Sequence, residues 1–418
     1  MLLNKKTKLS VFILLTLAVG TSAFADVVAT IPVGESPLSI AITPDGDYAY
    51  VADYTDHNVS VIEVSTNTVV KTIPVSAPVN ASPVDIAISP DGNYGYVAVS
   101  VAHSADDCVV VLDLSTNTIV RTIPVSGPSW TSRISIAVTP DGKYAYLSNY
   151  THGTVVAVDL STNTVVATIP VGVRPWGLAI TPDGDYAYVA NDTAERTVRV
   201  IDISTNTVVK TIVLTWGAYD IAIAPDGKHA YTAPNGSAVS VIEVSTNTVV
   251  AEIPCYTHFE DIVITSDGRY AYLASETSYL VLVIDLSTNT AVRMTTTDVS
   301  TSIAVTPDGN YLYRTHNLIN TVSVMEAYVD PSAGIRDLIA LVFSYNLQQG
   351  IENSFDSKLE NALSALDAAN AGLRQDAINK IESFINAVEA QRGSYLTDEQ
   401  ADELADAAID VIELLSSM

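Results

Sequence analysis

Cationic residues are scarce in this chain, and their scarcity excludes the most. Twenty Lys and Arg stand against 47 Asp and Glu, a formal net charge of −27 over 418 residues. A surface of that sign repels nucleic-acid phosphates and anionic lipid, so neither is expected as a partner. Charge of either kind is sparse, at 16% of residues. Cys108 and Cys255 are the only cysteines, too few for a disulfide framework. The repeat assignment below sets them in distant repeats, so no bond between them is expected. Catalytic signatures are missing as well. The chain has no G-x-S-x-G elbow, H-E-x-x-H helix, phosphate loop, C-x-x-C-H haem-attachment sequence or EF-hand spacing. The apolar stretch Leu9 to Gly20 is too short to span a bilayer. It follows Lys5, Lys6 and Lys8 and precedes Ala23-Phe24-Ala25, the pattern of a signal peptide with an A-x-A cleavage site. Residues 1–25 are therefore expected to be removed, with no transmembrane segment in the mature chain. A secreted or cell-surface location follows, with the periplasm as a third choice.

What the chain does have is repetition. Pro-Asp-Gly recurs at Pro44, Pro90, Pro140, Pro182, Pro225 and Pro307, and Ser266-Asp267-Gly268 fills the remaining slot. Ser-Thr-Asn-Thr recurs six times, at Ser65, Ser115, Ser161, Ser204, Ser245 and Ser287. A period of 40–50 residues points to a propeller. Each repeat carries four short runs rich in Val, Ile, Thr and Tyr, residues that suit a pleated, half-buried surface. Pro-Asp-Gly joins the first run to the second. Ser-Thr-Asn-Thr joins the third to the fourth, with Asn tolerating the left-handed conformation. Four antiparallel strands, here a to d, make a propeller blade.

Seven copies of one turn against six of the other predict how the ring closes. The last repeat ends at strand c, Thr321–Met325. An orphan strand d, Val27–Val33, opens the mature chain and matches Val166–Val171 closely. The fold class is thus mainly β: a seven-bladed β-propeller over 26–329, closed by its N-terminal strand. Pairing two open edges ties the ring shut.

The runs Ile40-Ala41-Ile42-Thr43-Pro44-Asp45-Gly46, Tyr188-Val189-Ala190-Asn191 and Val200-Ile201-Asp202 resemble the YVTN-type β-propeller repeats, a surface-layer-associated family also common in exported bacterial proteins. The resemblance implies fold and export; propellers host many unrelated activities.

From Pro331 the pattern becomes helical. Four amphipathic stretches, about 333–348, 354–369, 373–391 and 397–416, predict a small bundle over 332–418. Gly350, Gly372 and Gly393 are read as breaks, and Thr397 with Gln400 as a capping box. Gly350-Ile351-Glu352-Asn353-Ser354, Lys358-Leu359 and Phe384-Ile385-Asn386-Ala387-Val388-Glu389-Ala390-Gln391 resemble the small FIMAH domain at the ends of exported proteins. That resemblance implies tethering and supplies no catalytic residue.

The b–c and d–a connections vary from repeat to repeat, and variable loops on a rigid scaffold are where binding is expected. They carry Trp130, Trp176, Trp216, Tyr256 and Phe259, the candidate ligand-binding residues. They also carry His57, His103, His152, His316 and His258, whose scatter argues against a shared metal site. Strand a should be innermost. Aligning its copies sets Ser39, Asp85, Ser135, Gly177, Asp220, Asp261 and Ser302 around the channel. Asp85, Asp220 and Asp261 are the candidate metal ligands. No firm cofactor is expected, with calcium or another divalent cation as the channel candidate. The leading expectation is a non-enzymatic module that binds an envelope or extracellular protein or glycan, with no catalytic residue. The alternative is a lactonase-like hydrolase using a metal at the channel mouth.

Overall fold

The structure is a computed structural model. It describes residues 27–75, 81–101, 107–125, 134–192, 195–255, 257–278, 280–296, 299–327, 331–345, 347, 349–367 and 371–417. The leader pattern, Trp130, Tyr256 and His103 lie outside these. The chain divides into two compact units, one of them Ala25–Tyr328 and the other containing Val329–Met418.

The first unit is a seven-bladed propeller. Six four-stranded antiparallel sheets use consecutive strands, starting with Pro37–Ile42, Tyr48–Asp53, Asn58–Glu63 and Thr68–Pro74. The seventh departs from chain order. Val27–Pro32 pairs with Thr321–Glu326, which pairs in turn with Tyr311–His316 and Ile303–Val305. The N-terminal strand closes the ring, as the turn count predicts.

The repeated residues hold each blade to the next. Every Asn of Ser-Thr-Asn-Thr, from Asn67 to Asn289, has a φ between 52° and 58°. For five of them the side chain accepts a hydrogen bond from a tyrosine of the preceding blade. Tyr50 donates to Asn117 Oδ1 at 2.6 Å, Tyr146 to Asn206 at 2.7 Å, Tyr188 to Asn247 at 2.6 Å and Tyr231 to Asn289 at 2.9 Å. Tyr313 of blade 7 reaches Asn67 of blade 1 at 2.6 Å, so the series runs across the closure. Burial pushes these phenols up to about 12, which keeps them as donors. The acids after strand c act locally: Asp159 Oδ1 accepts from Ser161 N, Ser161 Oγ and Thr162 N.

One irregularity recurs in all seven blades. Between strands c and d the register slips by one residue, and the extra residue is a valine on strand d. Val61 faces Lys71 and Ile62 faces Val69, so Val70 is left over. Val120, Val166, Val209, Val250, Val292 and Val28 occupy the same place. Each stands 38–51% exposed. These are β-bulges, which kink a strand and increase its twist.

The second unit is a four-helix bundle, with α1 Pro331–Ser344, α2 Gln349–Asp367, α3 Ala371–Glu389 and α4 Asp398–Ser417. Ile335, Leu338, Phe355, Leu359, Phe384, Leu404 and Leu415 fill its core. Phe355 and Phe384 meet edge to face at 5.3 Å. Two of the expected breaks are corrected: Gly350 and Gly372 are each the second residue of a helix, so the chain breaks just before them, in a first turn whose N–H groups have no intrahelical partner in any case. Gly393, at φ 71°, lies in the turn between α3 and α4. The capping box forms in both directions, with Thr397 N donating to Gln400 Oε1 at 3.1 Å and Gln400 N to Thr397 Oγ1 at 3.2 Å. No helix among the described residues is long and apolar enough to cross a membrane.

Candidate functional site

The innermost strands converge on a cavity of about 230 Å³ on the variable face. Ser39, Asp85, Ser135, Gly177, Asp220, Asp261 and Ser302 all line it, so the strand-a alignment brings its residues together. Bulges precede Ser39, Asp85 and Asp220 in their strands. A bulge re-aims the side chains beside it, and the residue it leaves over can be large. In blades 4 and 5 those residues include Trp176 and Tyr219.

The three aspartates are less free than metal ligands should be. Asp85 Oδ1 accepts from Ser39 Oγ at 2.5 Å and Ile86 N at 2.9 Å, and its Oδ2 accepts from Ile136 N at 2.8 Å. Asp261 Oδ1 accepts from Ile262 N at 2.8 Å, and its Oδ2 from Ile303 N at 2.8 Å. Asp220 Oδ2 accepts from the same Ile262 N at 3.3 Å. Each carboxylate therefore reaches an amide at the start of the next blade's inner strand, the first residue for Asp85 and Asp261 and the second for Asp220, and staples blade to blade. No group of three His, Cys, Asp or Glu suited to a metal ion occurs among the described residues.

Burial dominates the electrostatics. Each carboxyl touches the cavity, yet protein encloses it on its other sides. Desolvation pushes Asp85 up to about 6, against the bonds from Ser39, Ile136 and Ile86. Desolvation and the neighbouring Asp261 carry Asp220 well above the ordinary carboxyl value. Two further acids, Glu260 and Glu276, line the cavity and have no counterpart among the expected site residues. Burial raises Glu260 to about 7, although Glu276 N donates to its Oε2 at 2.8 Å. His258 Nε2 stands 3.6 Å from Glu260 Oε1.

The expected aromatic residues divide. Trp176 lines the cavity and stacks edge-on against Tyr219, with ring centroids 4.4 Å apart. Tyr150 also meets Trp176 edge-on, with ring centroids 6.2 Å apart, and Arg174 lies 5.7 Å over the Tyr150 ring. Tyr150 and Tyr219 were not singled out by sequence. The available signal was Tyr219's place directly before Asp220, one repeat after Trp176. Trp216 is 37% exposed and packs against Gly236, where a Cβ would lie 2.4 Å from the indole. Phe259 is corrected: it is fully buried with Cys255, Leu273 and Ile284 and is core. His316 is corrected likewise. It ends strand b, buried, with Nε2 2.7 Å from Ser323 Oγ and Nδ1 2.6 Å from the Val299 carbonyl oxygen.

Fold and site define a seven-bladed propeller with an acidic, aromatic-edged mouth. Residues 46–175 match the family model for the cytochrome D1 heme domain, which is under half of the chain. A solved structure, Kuenenia stuttgartiensis hydrazine synthase, superposes with a TM-score of 0.62 at 24% identity, covering 71% of this chain and 97% of that one. That likeness shows the fold alone. No curated protein matches the chain.

The haem-domain match corrects the expectation of no cofactor, or of calcium, in the channel, because it points to haem. Haem iron takes His, Cys, Met or Tyr as its protein ligand, and its carboxylates favour cationic partners. The residues lining this cavity include none of those ligands and no Lys or Arg, and they present five carboxyl groups. This lining does not fit a haem.

Proposed function

We propose that the protein is an exported recognition module that holds a glycan at the variable mouth of its propeller. One observation carries the reading: Trp176, in ring contact with Tyr150 and Tyr219, lines a cavity that also presents five carboxyl groups. An aromatic face offers a sugar ring an apolar platform, and carboxylates accept hydrogen bonds from its hydroxyls. The leader pattern supports export to the envelope or the extracellular space. The YVTN-type resemblance of the repeats and the FIMAH-like resemblance of the bundle support the same setting, with the bundle as a tether. An extracellular protein segment is the other ligand class that such a mouth accommodates.

Binding to a panel of soluble oligosaccharides tests the reading. Trp176→Ala should weaken the best ligand by about tenfold or more, equivalent to about 1.4 kcal/mol. Equal affinity in the variant, or no saccharide bound by wild type, counts against it. A second reading, haem binding, has the match over residues 46–175 in its favour. Titrating the purified protein with haemin and following the absorbance of bound haem tests it. A stoichiometric complex would support haem binding, at a place other than the lining described.

A further inference from the structure

We propose that the seam between blades 2 and 3 holds a second binding site, on the face of the Pro-Asp-Gly turns, which takes the acetamido group of an N-acetylated amino sugar. It lies on the other face from the mouth and does not depend on what the mouth binds.

Two contacts that close other seams do not form here. The first is the bond from tyrosine to asparagine. Tyr96 holds in blade 2 the place of Tyr50, Tyr146, Tyr188, Tyr231 and Tyr313, and its partner in blade 3 would be Asn163. Asn163 has the same left-handed backbone, at φ 58°. Yet Tyr96 and Asn163 make no side-chain hydrogen bond among the described residues, whereas the other five tyrosines all do. Tyr146, Tyr188 and Tyr313 also reach the carbonyl oxygens of Ile203, Val244 and Val64 at 3.4–3.5 Å. Tyr96 does not reach the equivalent carbonyl of Leu160.

The second contact joins turn to turn. A Cβ added at Gly46, Gly92, Gly184, Gly227 or Gly268 would lie 3.4–3.7 Å from the Pro-Asp-Gly proline of the preceding blade. At Gly142 it would meet nothing within 4 Å, although Pro90 stands in the preceding turn. Gly309 is alike, but there Ser266 replaces the proline, and its Oγ donates to Pro307 O at 2.6 Å. Blades 2 and 3 are joined at the channel, where Asp85 Oδ2 accepts from Ile136 N at 2.8 Å, and they part at their turns.

The gap is a slot of about 320 Å³, the size of a small-ligand pocket. Tyr96 is 6% exposed and lines the slot, so it brings an unpartnered hydroxyl to it. Burial pushes this phenol up as well, which keeps it a donor. In the closed seams the acceptor is a carboxamide oxygen, the Oδ1 of an asparagine, so a ligand that takes its place carries an amide. An acetamido group has that oxygen, and its methyl suits walls made by Pro90, Pro140 and Leu160. Tyr94, 41% exposed, offers a sugar ring an apolar face. Asp91 and Asp141 also line the slot. Their carboxylates accept from ring hydroxyls and disfavour an anionic ligand. The corresponding slot between blades 7 and 1 is nearly as large, at about 290 Å³, but there Tyr313 is committed to Asn67.

Calorimetric titration of the purified full chain with N,N′-diacetylchitobiose tests the site, beside cellobiose, which lacks the acetamido groups. Expected is binding of the first sugar and not the second. Tyr96→Phe should weaken it about threefold to tenfold, the usual worth of one hydrogen bond, and Tyr313→Phe should leave it unchanged. No binding of the acetylated sugar, or equal binding of cellobiose, overturns the proposal. So does an affinity that survives Tyr96→Phe; if Trp176→Ala then abolishes it, the sugar sits at the mouth, and the two sites are told apart. Tighter binding of an acetyl-lysine peptide overturns the assignment to an amino sugar. Melting gives an independent check on the geometry. Tyr96→Phe should leave the melting temperature unchanged, whereas Tyr146→Phe, which loses its bond to Asn206, should lower it by a few degrees. Equal losses would show that the Tyr96 hydroxyl is bonded within the seam, and would overturn the site.

Discussion

Asp53 occupies the place that Asn149 and Asn191 hold in the third and fourth blades. Its carboxyl is fully buried, accepting from Ser60 Oγ at 2.7 Å while its Oδ1 has no partner. A Cβ on Gly34 would lie 2.7 Å from it, so the chain folds tightly over the group. Burial pushes Asp53 up to about 7. Its stabilising share is present in acid and is lost as pH rises through that value. Asp53→Asn should therefore raise the melting temperature by a few degrees at about pH 9 and leave it unchanged at about pH 4. Thermal melting at the two pH values checks this, and an equal effect at both would point to packing rather than charge. The contrast with the channel carboxylates is instructive. Both kinds of acid are raised by desolvation, but Asp85 bonds to the blades on both sides, whereas the one bonded oxygen of Asp53 is held within its own.

At the level of the element, the N-terminal strand does most to complete the ring. Ile31 is 2% exposed and packs with Ile40, Val51, Val322 and Val324. Ile31→Ala should cost about 2–5 kcal/mol, measured by denaturant unfolding. Removing residues 27–33 should abolish a single cooperative transition for the propeller, since the outer edge of the seventh blade is then unpaired. A truncated chain that melts like wild type would mean the closure is dispensable. This closure was readable because turn motifs are local chemistry, and seven of one against six of the other leaves one strand to be supplied from elsewhere. The ring of strand-a residues was readable for a similar reason, since aligned repeats occupy equivalent places. What each aspartate bonds was not readable. Whether Asp85 reaches Ile136 N depends on the displacement between blades, which no single repeat encodes. Phe259 misled because a large apolar residue in a variable loop serves a mouth or a core equally well by pattern, and only packing separates the two. Gly350 and Gly372 misled by a residue or two, because each stands in the first turn of its helix, just after the break rather than in it.

At the scale of the whole molecule, a net charge of −27 acts against compactness. Ion pairs among the described residues are few and mostly exposed, Lys143 with Asp141 at 2.8 Å being representative, and such pairs contribute little. Raising salt from about 0.02 M to about 0.5 M shortens the screening length severalfold. The melting temperature should rise over that range, and a fall would show that the ion pairs outweigh the repulsion. The seven bulged valines have a different significance at this scale. A propeller of uniform strands would present seven straight outer edges, each able to accept a strand from another copy, and crowded molecules could then join into fibrils. The slip at Val28, Val70, Val120, Val166, Val209, Val250 and Val292 breaks every one of those edges at the same height. A repeat built to pair with itself in one direction, around the ring, is thereby prevented from polymerising in the other.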